Sequence, residues 1–426
     1  MEASAYGTAP IYLTATEQIL HGSWWFPDLA PHLSANQLCD RGVDRLLSRR
    51  QPYTSATPFT GVWQLTERAH ATFSSAGLRI NYPEPASHVL HARDVAPGVD
   101  VVEAFECLLT ESIATRLPHD GIGMELSGGI DSANVALSLR EVHDGPIVSA
   151  GLIVDDGELG HLQQQRRTEV AARCQLQDEP IRAAAFPPLA PGGIRVSGRP
   201  HDVGEFYREG FAALGRHFAK HGIQVGLTGV GGDELSALRP AEATSQPPPL
   251  EPVPWLTGRA RDAAEGTDTA PHPVLPTSVL TGSAVHNPDY LAAGLWPLSP
   301  LAAPALVRFA EQLPVRWRRS KRFLRQRLAR AGLPRSVTHP DRTETFLGVM
   351  HLGLRHHGIP LARRLLRDGM LLVDNGFVNP PALAAALDEA EASDRVPGVL
   401  CDTLITEMSL RSLLGCPAPM PILEPR

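Results

Sequence analysis

The stretch Met124-Glu-Leu-Ser-Gly-Gly-Ile-Asp-Ser-Ala133 constrains the fold of this chain more than any other. Gly121 to Leu126 have strand character, Ser127, Gly128 and Gly129 make a turn, and Asp131 to Val142 follow helical spacing. Ala133, Val135, Ala136, Leu137 and Leu139 are the inward residues of that helix. A turn built from small residues lets backbone N–H groups close around an anion. The open N–H groups and positive dipole end of the helix face the same anion. Asp131 adds a carboxylate, which repels phosphate unless a hard cation such as Mg²⁺ lies between them. The combination points to ATP held through its phosphates and a magnesium ion.

About a hundred residues later, Ile223-Gln-Val-Gly-Leu-Thr-Gly-Val-Gly-Gly-Asp-Glu-Leu235 repeats the theme: a buried strand runs into a glycine turn that ends in carboxylates. The Ser-Gly-Gly-x-Asp-Ser pattern of the first block resembles the loop of the ATP pyrophosphatase superfamily, whose members split ATP into AMP and pyrophosphate. The Gly-x-x-x-x-Gly-Lys-Ser/Thr loop is absent. Gly229 to Glu234 resemble the Gly-x-Gly-Gly-Asp-Glu block of asparagine synthetase-like enzymes, which NAD synthetases are not expected to carry. The resemblance implies that Ser127, Gly128, Gly129 and Ser132 hold the phosphates and that Asp131 and Asp233 share Mg²⁺. It also implies that adenine lies against backbone near Leu126, Leu152 and Gly229.

Composition narrows the choice within that superfamily. Hydrophobic content of 43% and charged content of 20% are those of a soluble globular protein, and 426 residues allow two domains. A net charge of -7 offers no basic surface for nucleic acid, which argues against a tRNA-modifying enzyme. No apolar run approaches a membrane span, and Met1-Glu-Ala-Ser-Ala lacks the features of a signal peptide. Five scattered cysteines without a Cys-x-x-Cys pair read as reduced thiols of a cytoplasmic protein.

Residues 1–98 read as a small β-rich unit. Its expected strands are Ile11 to Thr14, Gln18 to Trp25, Phe59 to Thr66 and Ala69 to Tyr82, with a helix over Ser34 to Arg49. Phe59 to Leu65 are similar to the end of the N-terminal domain in asparagine synthetase-like proteins. Glu2 stands where glutamine-dependent members carry a cysteine nucleophile, and the unit is short, so it reads as a degenerate glutaminase-like domain.

Residues 99–415 read as the synthetase domain. An amphipathic helix over Val101 to Leu117 precedes the loop strand. Pro146 to Val154, Arg166 to Cys174, Glu179 to Ala185, Val203 to His221 and Ile223 to Leu227 then alternate strand and helix. This is an α/β pattern: a parallel sheet with helices on both faces, of the adenine nucleotide hydrolase-like kind, and a helical C-terminal part. Residues 236–277 are a proline-rich surface insertion or a lid. Helices are expected over Ala302 to Gln312, Lys321 to Ala331, Leu352 to Arg367, Pro381 to Ala392 and Leu400 to Leu414.

The catalytic candidates follow from the same resemblance. Lysine occurs only at Lys220 and Lys321, and Ser320-Lys-Arg-Phe-Leu-Arg325 is similar to the family segment whose lysine contacts ATP phosphates. A second family lysine falls at Asp341 or, with a one-residue slip, at Arg342, which can supply charge but cannot give up a proton. Val230 stands where asparagine synthetases carry glutamate and β-lactam synthetases tyrosine. The expected activity is amide formation: a carboxylate is adenylated with release of pyrophosphate and joined to an amine. The substrates are a small molecule or peptide, as in β-lactam or lasso-peptide macrolactam closure, with the amine tethered or held by a partner protein. Asparagine synthesis from free ammonia and a degenerate ATP-binding scaffold are the competing readings.

Overall fold

The computed structural model describes residues 1–48, 52–154, 157–243, 252–258, 269–393 and 396–416. Five parallel strands form the central sheet: β6 (Ile122–Glu125), β7 (Ile147–Ile153), β8 (Leu176–Arg182), β9 (Val225–Leu227) and β10 (Trp296–Leu298). Their order is β10-β9-β6-β7-β8, with Met124 level with both Ser149 and Leu227. The chain therefore builds outward from β6 through β7 to β8, then returns to lay β9 on the other side of β6. In open sheets of this kind ligands bind at such a reversal, beyond the carboxyl ends of the strands. Both glycine loops leave the sheet there.

Helices cover both faces. On one side lie α2 (Val101–Ala114), α3 (Ile130–Val142) and α4 (Glu158–Cys174), joined by helices Pro304–Gln312 and Arg322–Arg330. Phe105, Leu109, Val135, Leu139, Val170 and Phe323 meet Met124 and Leu227 in one core, and Phe105 stands edge-on to Phe323 at 4.9 Å. Each fully buried side chain of this size contributes roughly 1.5–3 kcal/mol. On the opposite face α5 (Arg208–Lys220) and helix Thr277–Ala292 pack Leu214, Phe218 and Tyr290 over Ala150. No helix among the described residues is long and apolar enough to cross a membrane.

Within residues 1–98, β1 (Tyr12–Ala15) is flanked antiparallel by β2 (Leu20–Ser23) and β3 (Val62–Gln64), beside a hairpin of β4 (His70–Ser74) and β5 (Gly77–Asn81). The helix expected over Ser34 to Arg49 begins late. A 3-10 turn at Ala35–Gln37 precedes α1, which covers Asp40–Leu47, and Arg49 lies outside the described residues. Tyr12, Phe26, Val43 and Phe59 enter one core with Leu354, Leu365, Leu400 and Leu404, so these strands pack against the C-terminal helices.

Several expected boundaries move. The helix placed at Arg166 to Cys174 starts at Glu158, because its first turns are polar outside yet lie beneath the loop. The strand placed at Glu179 to Ala185 sits at Leu176–Arg182, with a 3-10 turn after it. Helix Thr277–Ala292 went unpredicted: Gly282 and Pro288 lie inside it, and its pattern is small and polar. Leu347–Asp368 is helical throughout but passes through a π turn at Leu354–Gly358, just before Pro360, which has no N–H to donate.

Of the 236–277 segment, residues 244–251 and 259–268 lie outside the described residues, including Pro247 to Pro249. The described parts are anchored. Trp255 is buried with Nε1 donating to Thr403 Oγ1 at 2.9 Å, and the Val274 and Leu275 N–H groups donate to Glu67.

Candidate active site

The first loop is shaped by its own hydroxyls. Ser132 Oγ lies 3.0 Å from Ser127 Oγ and donates to the Gly129 carbonyl at 3.2 Å, while Gly129 N–H donates to Ser127 Oγ at 3.2 Å. Ser132 is thus buried inside the turn and holds its curvature. Gly129 caps α3 without a side-chain acceptor, leaving the first helical N–H groups to the site. Leu126 is fully buried, and its N–H is bonded to the Ala150 carbonyl at 2.8 Å.

Two residues of α4 unmarked by sequence reasoning, Gln163 and Arg166, hold the loop from below, and a third, Arg167, ties the helix to β8. Gln163 donates to the Ser127 carbonyl at 2.8 Å and the Leu152 carbonyl at 2.9 Å, and accepts from Val154 N–H. The Leu152 carbonyl, which the resemblance puts near adenine, is thus engaged by Gln163. Arg166 Nε donates to the Gly128 carbonyl at 3.1 Å, and its other end pairs with Glu344. Arg167, buried against the sheet, grips both oxygens of Asp178. The available signal was Gln163-Gln-Gln-Arg-Arg167 at the head of a helix, where polar residues normally face solvent.

The second loop packs directly on the first. Thr228 Oγ1 sits 2.9 Å from Ser299 Oγ, and Gly231 turns the chain at φ +101° into the short helix α6, Gly232–Leu235. A Cβ at Gly232 would overlap the Asp131 carboxyl, and one at Gly229 would press on the Ser132 backbone. The glycines are required by this approach of one loop to the other. Val230 is half-buried and packs against the main core, with its N–H on Thr228 Oγ1.

Lys321 completes the group. Its Nζ lies 2.5 Å from Asp131 Oδ2 and 2.7 Å from Asp233 Oδ1. Ser320 and Lys321 both adopt left-handed backbone, at φ +54° and +56°, each costing roughly 1–3 kcal/mol. Arg325 braces the turn by donating to the Ser320 carbonyl at 2.7 Å. Arg327, buried, fixes the following helix to α3 through the Asn134 carbonyl and Ser138 Oγ. The lysine is thereby held against the carboxylate that α3 presents.

The electrostatics favour a cation. Burial raises the Asp131 pKa; Lys321 lowers it, but Asp233 and Glu234 push it up again. Burial works against the Lys321 charge, yet the two carboxylates outweigh it and raise its pKa. Asp131 Oδ1 is buried with no hydrogen-bond partner among the described residues. Two carboxylates facing one ammonium, with a spare buried oxygen, form a donor set suited to Mg²⁺. Beside Lys321 a cavity of about 640 Å³ is walled by Arg319, Arg322, Arg325, Arg335, His339 and Asp341. Arg342, the next residue along the chain, is exposed and pairs with the exposed Glu158 at 3.0 Å.

Residues 104–241 match the family model described as asparagine synthase. No curated protein matches the chain. The matched segment contains both glycine loops and the two aspartates that converge on Lys321, on the sheet where such loops are expected. Residues 104–241 are thus similar to an asparagine synthase domain, and that match supports an ATP-dependent amide-forming ligase of this general type.

Proposed function

We propose that this protein adenylates a carboxylic acid and joins it to an amine, releasing pyrophosphate and then AMP. The observation that carries the reading is the convergence of Asp131, Asp233 and Lys321 beside the Ser127–Gly129 turn. A carboxylate oxygen attacks the α-phosphorus of ATP, and the α–β phosphoanhydride bond breaks as pyrophosphate takes the electron pair. The amine nitrogen then attacks the acyl carbon, AMP leaves, and the nitrogen loses a proton. Mg²⁺ held by Asp131 and Asp233 would supply charge neutralisation on the phosphates. Lys321 exchanges carboxylates for phosphate oxygens and stabilises the leaving group, while the N–H groups of the turn and of α3 orient the chain of phosphates.

The acceptor step decides the substrate class. Val230 has an apolar side chain packed against the core, and Arg342 a guanidinium that cannot give up a proton and pairs with Glu158, so neither residue supplies a base. Positioning of the amine must then carry that step, and well-oriented intramolecular reactions reach effective concentrations of about 10⁵–10⁸ M. This favours an amine tethered within the substrate, or held by a partner protein, in cytoplasmic tailoring of a peptide or small natural product. The closure is of the lasso-peptide macrolactam or β-lactam type. The test is incubation of the purified chain with ATP, Mg²⁺ and candidate amino-carboxylic acids, following AMP, pyrophosphate and product mass. Efficient asparagine formation from aspartate and ammonium would replace this reading with ammonia-dependent synthesis. Absence of AMP with every acid would replace it with a scaffold.

A further inference from the structure

Away from the two loops, Glu179, His217 and His221 come together on the flank of the sheet. Glu179 is the middle residue of the edge strand β8; His217 lies in the last turn of α5 and His221 directly follows that helix. One donor atom from each lies within 4.8 Å of the other two. The imidazoles are four residues apart, which places them on one helix face, and their ring centres are 4.4 Å apart.

Both rings are prepared to donate lone pairs. His221 Nδ1 lies 2.9 Å from the His217 carbonyl, which can only accept, so Nδ1 carries the proton and Nε2 keeps its lone pair. On His217, Nδ1 is the nitrogen that faces Glu179, and no other hydrogen bond occupies it among the described residues; Nε2, which then carries the proton, is buried without a partner there. The same Nδ1 lies 3.8 Å from Glu179 Oε1, too far for a hydrogen bond. That spacing is close to the edge of about 3.4 Å in a tetrahedron of ligands around zinc. Asp178, next in the strand, is committed to Arg167 and Ser149 and cannot join the set. Lys220 is the cation that opposes a metal here.

We propose that Glu179, His217 and His221 bind one zinc-class divalent cation, with water completing the tetrahedron. Two imidazoles and a carboxylate suit Zn²⁺ better than Mg²⁺, which prefers oxygen ligands. The helix α5 ends just before β9, so its last turn stands at the amino ends of the strands, opposite the nucleotide end. The bound ion ties β8, which pairs with β7 on one side only, to the helix packed over the sheet. The role is structural and independent of ATP.

The test uses the full chain stripped of metal and titrated with Zn²⁺ alone by calorimetry, then with Co²⁺ by visible absorption. Glu179 and His221 are exposed, so Glu179→Gln and His221→Ala are expected to fold. We expect one equivalent of Zn²⁺, a higher thermal midpoint on binding, and the intense absorption of four-coordinate Co²⁺. Each substitution should weaken binding by at least about tenfold, whereas His356→Ala, at an exposed histidine elsewhere, should not. Absence of saturable binding by the wild-type chain overturns the proposal, as does binding that survives either substitution.

Discussion

Lys321 Nζ lies 2.5 Å from Asp131 Oδ2 although 190 residues separate them in the chain. Neither residue arrives there unaided. Asp131 is carried in by the first turn of α3, and Lys321 by a left-handed turn that Arg325 and Arg327 brace against that same helix. The left-handed strain and the half-buried charge are tolerable because the surrounding hydrogen bonds over-determine the turn.

Lys321→Ala should lower adenylation by about 10²–10³, the usual cost of losing one contact to charge that develops in the transition state. Affinity for ATP should change far less. Single-turnover pyrophosphate release and nucleotide titration separate the two effects. A wild-type adenylation rate would leave the lysine only a structural ion-pair partner of the two aspartates.

Asp131→Asn and Asp233→Asn should each abolish AMP formation while leaving the chain folded. Burial already raises the Asp131 pKa, so a neutral isostere relieves a buried charge. The Asp131→Asn protein should therefore melt no lower than wild type. Full ATP turnover in both variants would remove the aspartates from the site.

Gly232→Ala inserts a methyl group into the Asp131 carboxyl, which cannot yield without shifting the α3 turn. Overpacking of this kind costs about 1–3 kcal/mol, and activity should fall with it. Thermal unfolding and AMP release measure both. An alanine variant with wild-type stability and activity would show that the two loops are not in close contact.

The pair Glu125–His286 predicts a pH dependence. Burial would lower the His286 pKa, but Glu125, 3.6 Å away and also accepting from Tyr290 OH, outweighs it, and the pKa is raised. A raised histidine stabilises the fold at pH below its ordinary value of 6.5, and that contribution is lost as pH rises through the higher folded value. Glu125→Gln keeps an acceptor for Tyr290 but removes the charge. Its loss of stability against urea should be larger at pH 6 than at pH 9. An equal loss at both would assign the effect to packing.

Much of the fold was legible because its signals are local. The strand–turn–helix at 121–142 and the block at 223–235 announce themselves by glycine spacing and apolar runs, and a parallel sheet follows from alternating strands and helices. What stayed hidden was nonlocal. Gln163, Arg166 and Arg167 read as a polar helix surface, yet the first two satisfy carbonyls of the first loop and Arg167 binds Asp178 and the Glu179 carbonyl on β8. Helix Thr277–Ala292 was masked by Gly282 and Pro288, and is held by packing over the sheet.

By itself the sequence determined that two glycine-rich loops exist, each at the end of a strand, and that each carries a carboxylate. Backbone permissiveness and side-chain charge settle those points within a few residues. Only the tertiary structure decided that the loops touch and that one lysine bridges their carboxylates. It also packed Val230 against the main core and left Arg342 with Glu158. The reason is that direction and distance across 100–200 residues are set by how the helices pack on the sheet, and local spacing carries no record of that packing.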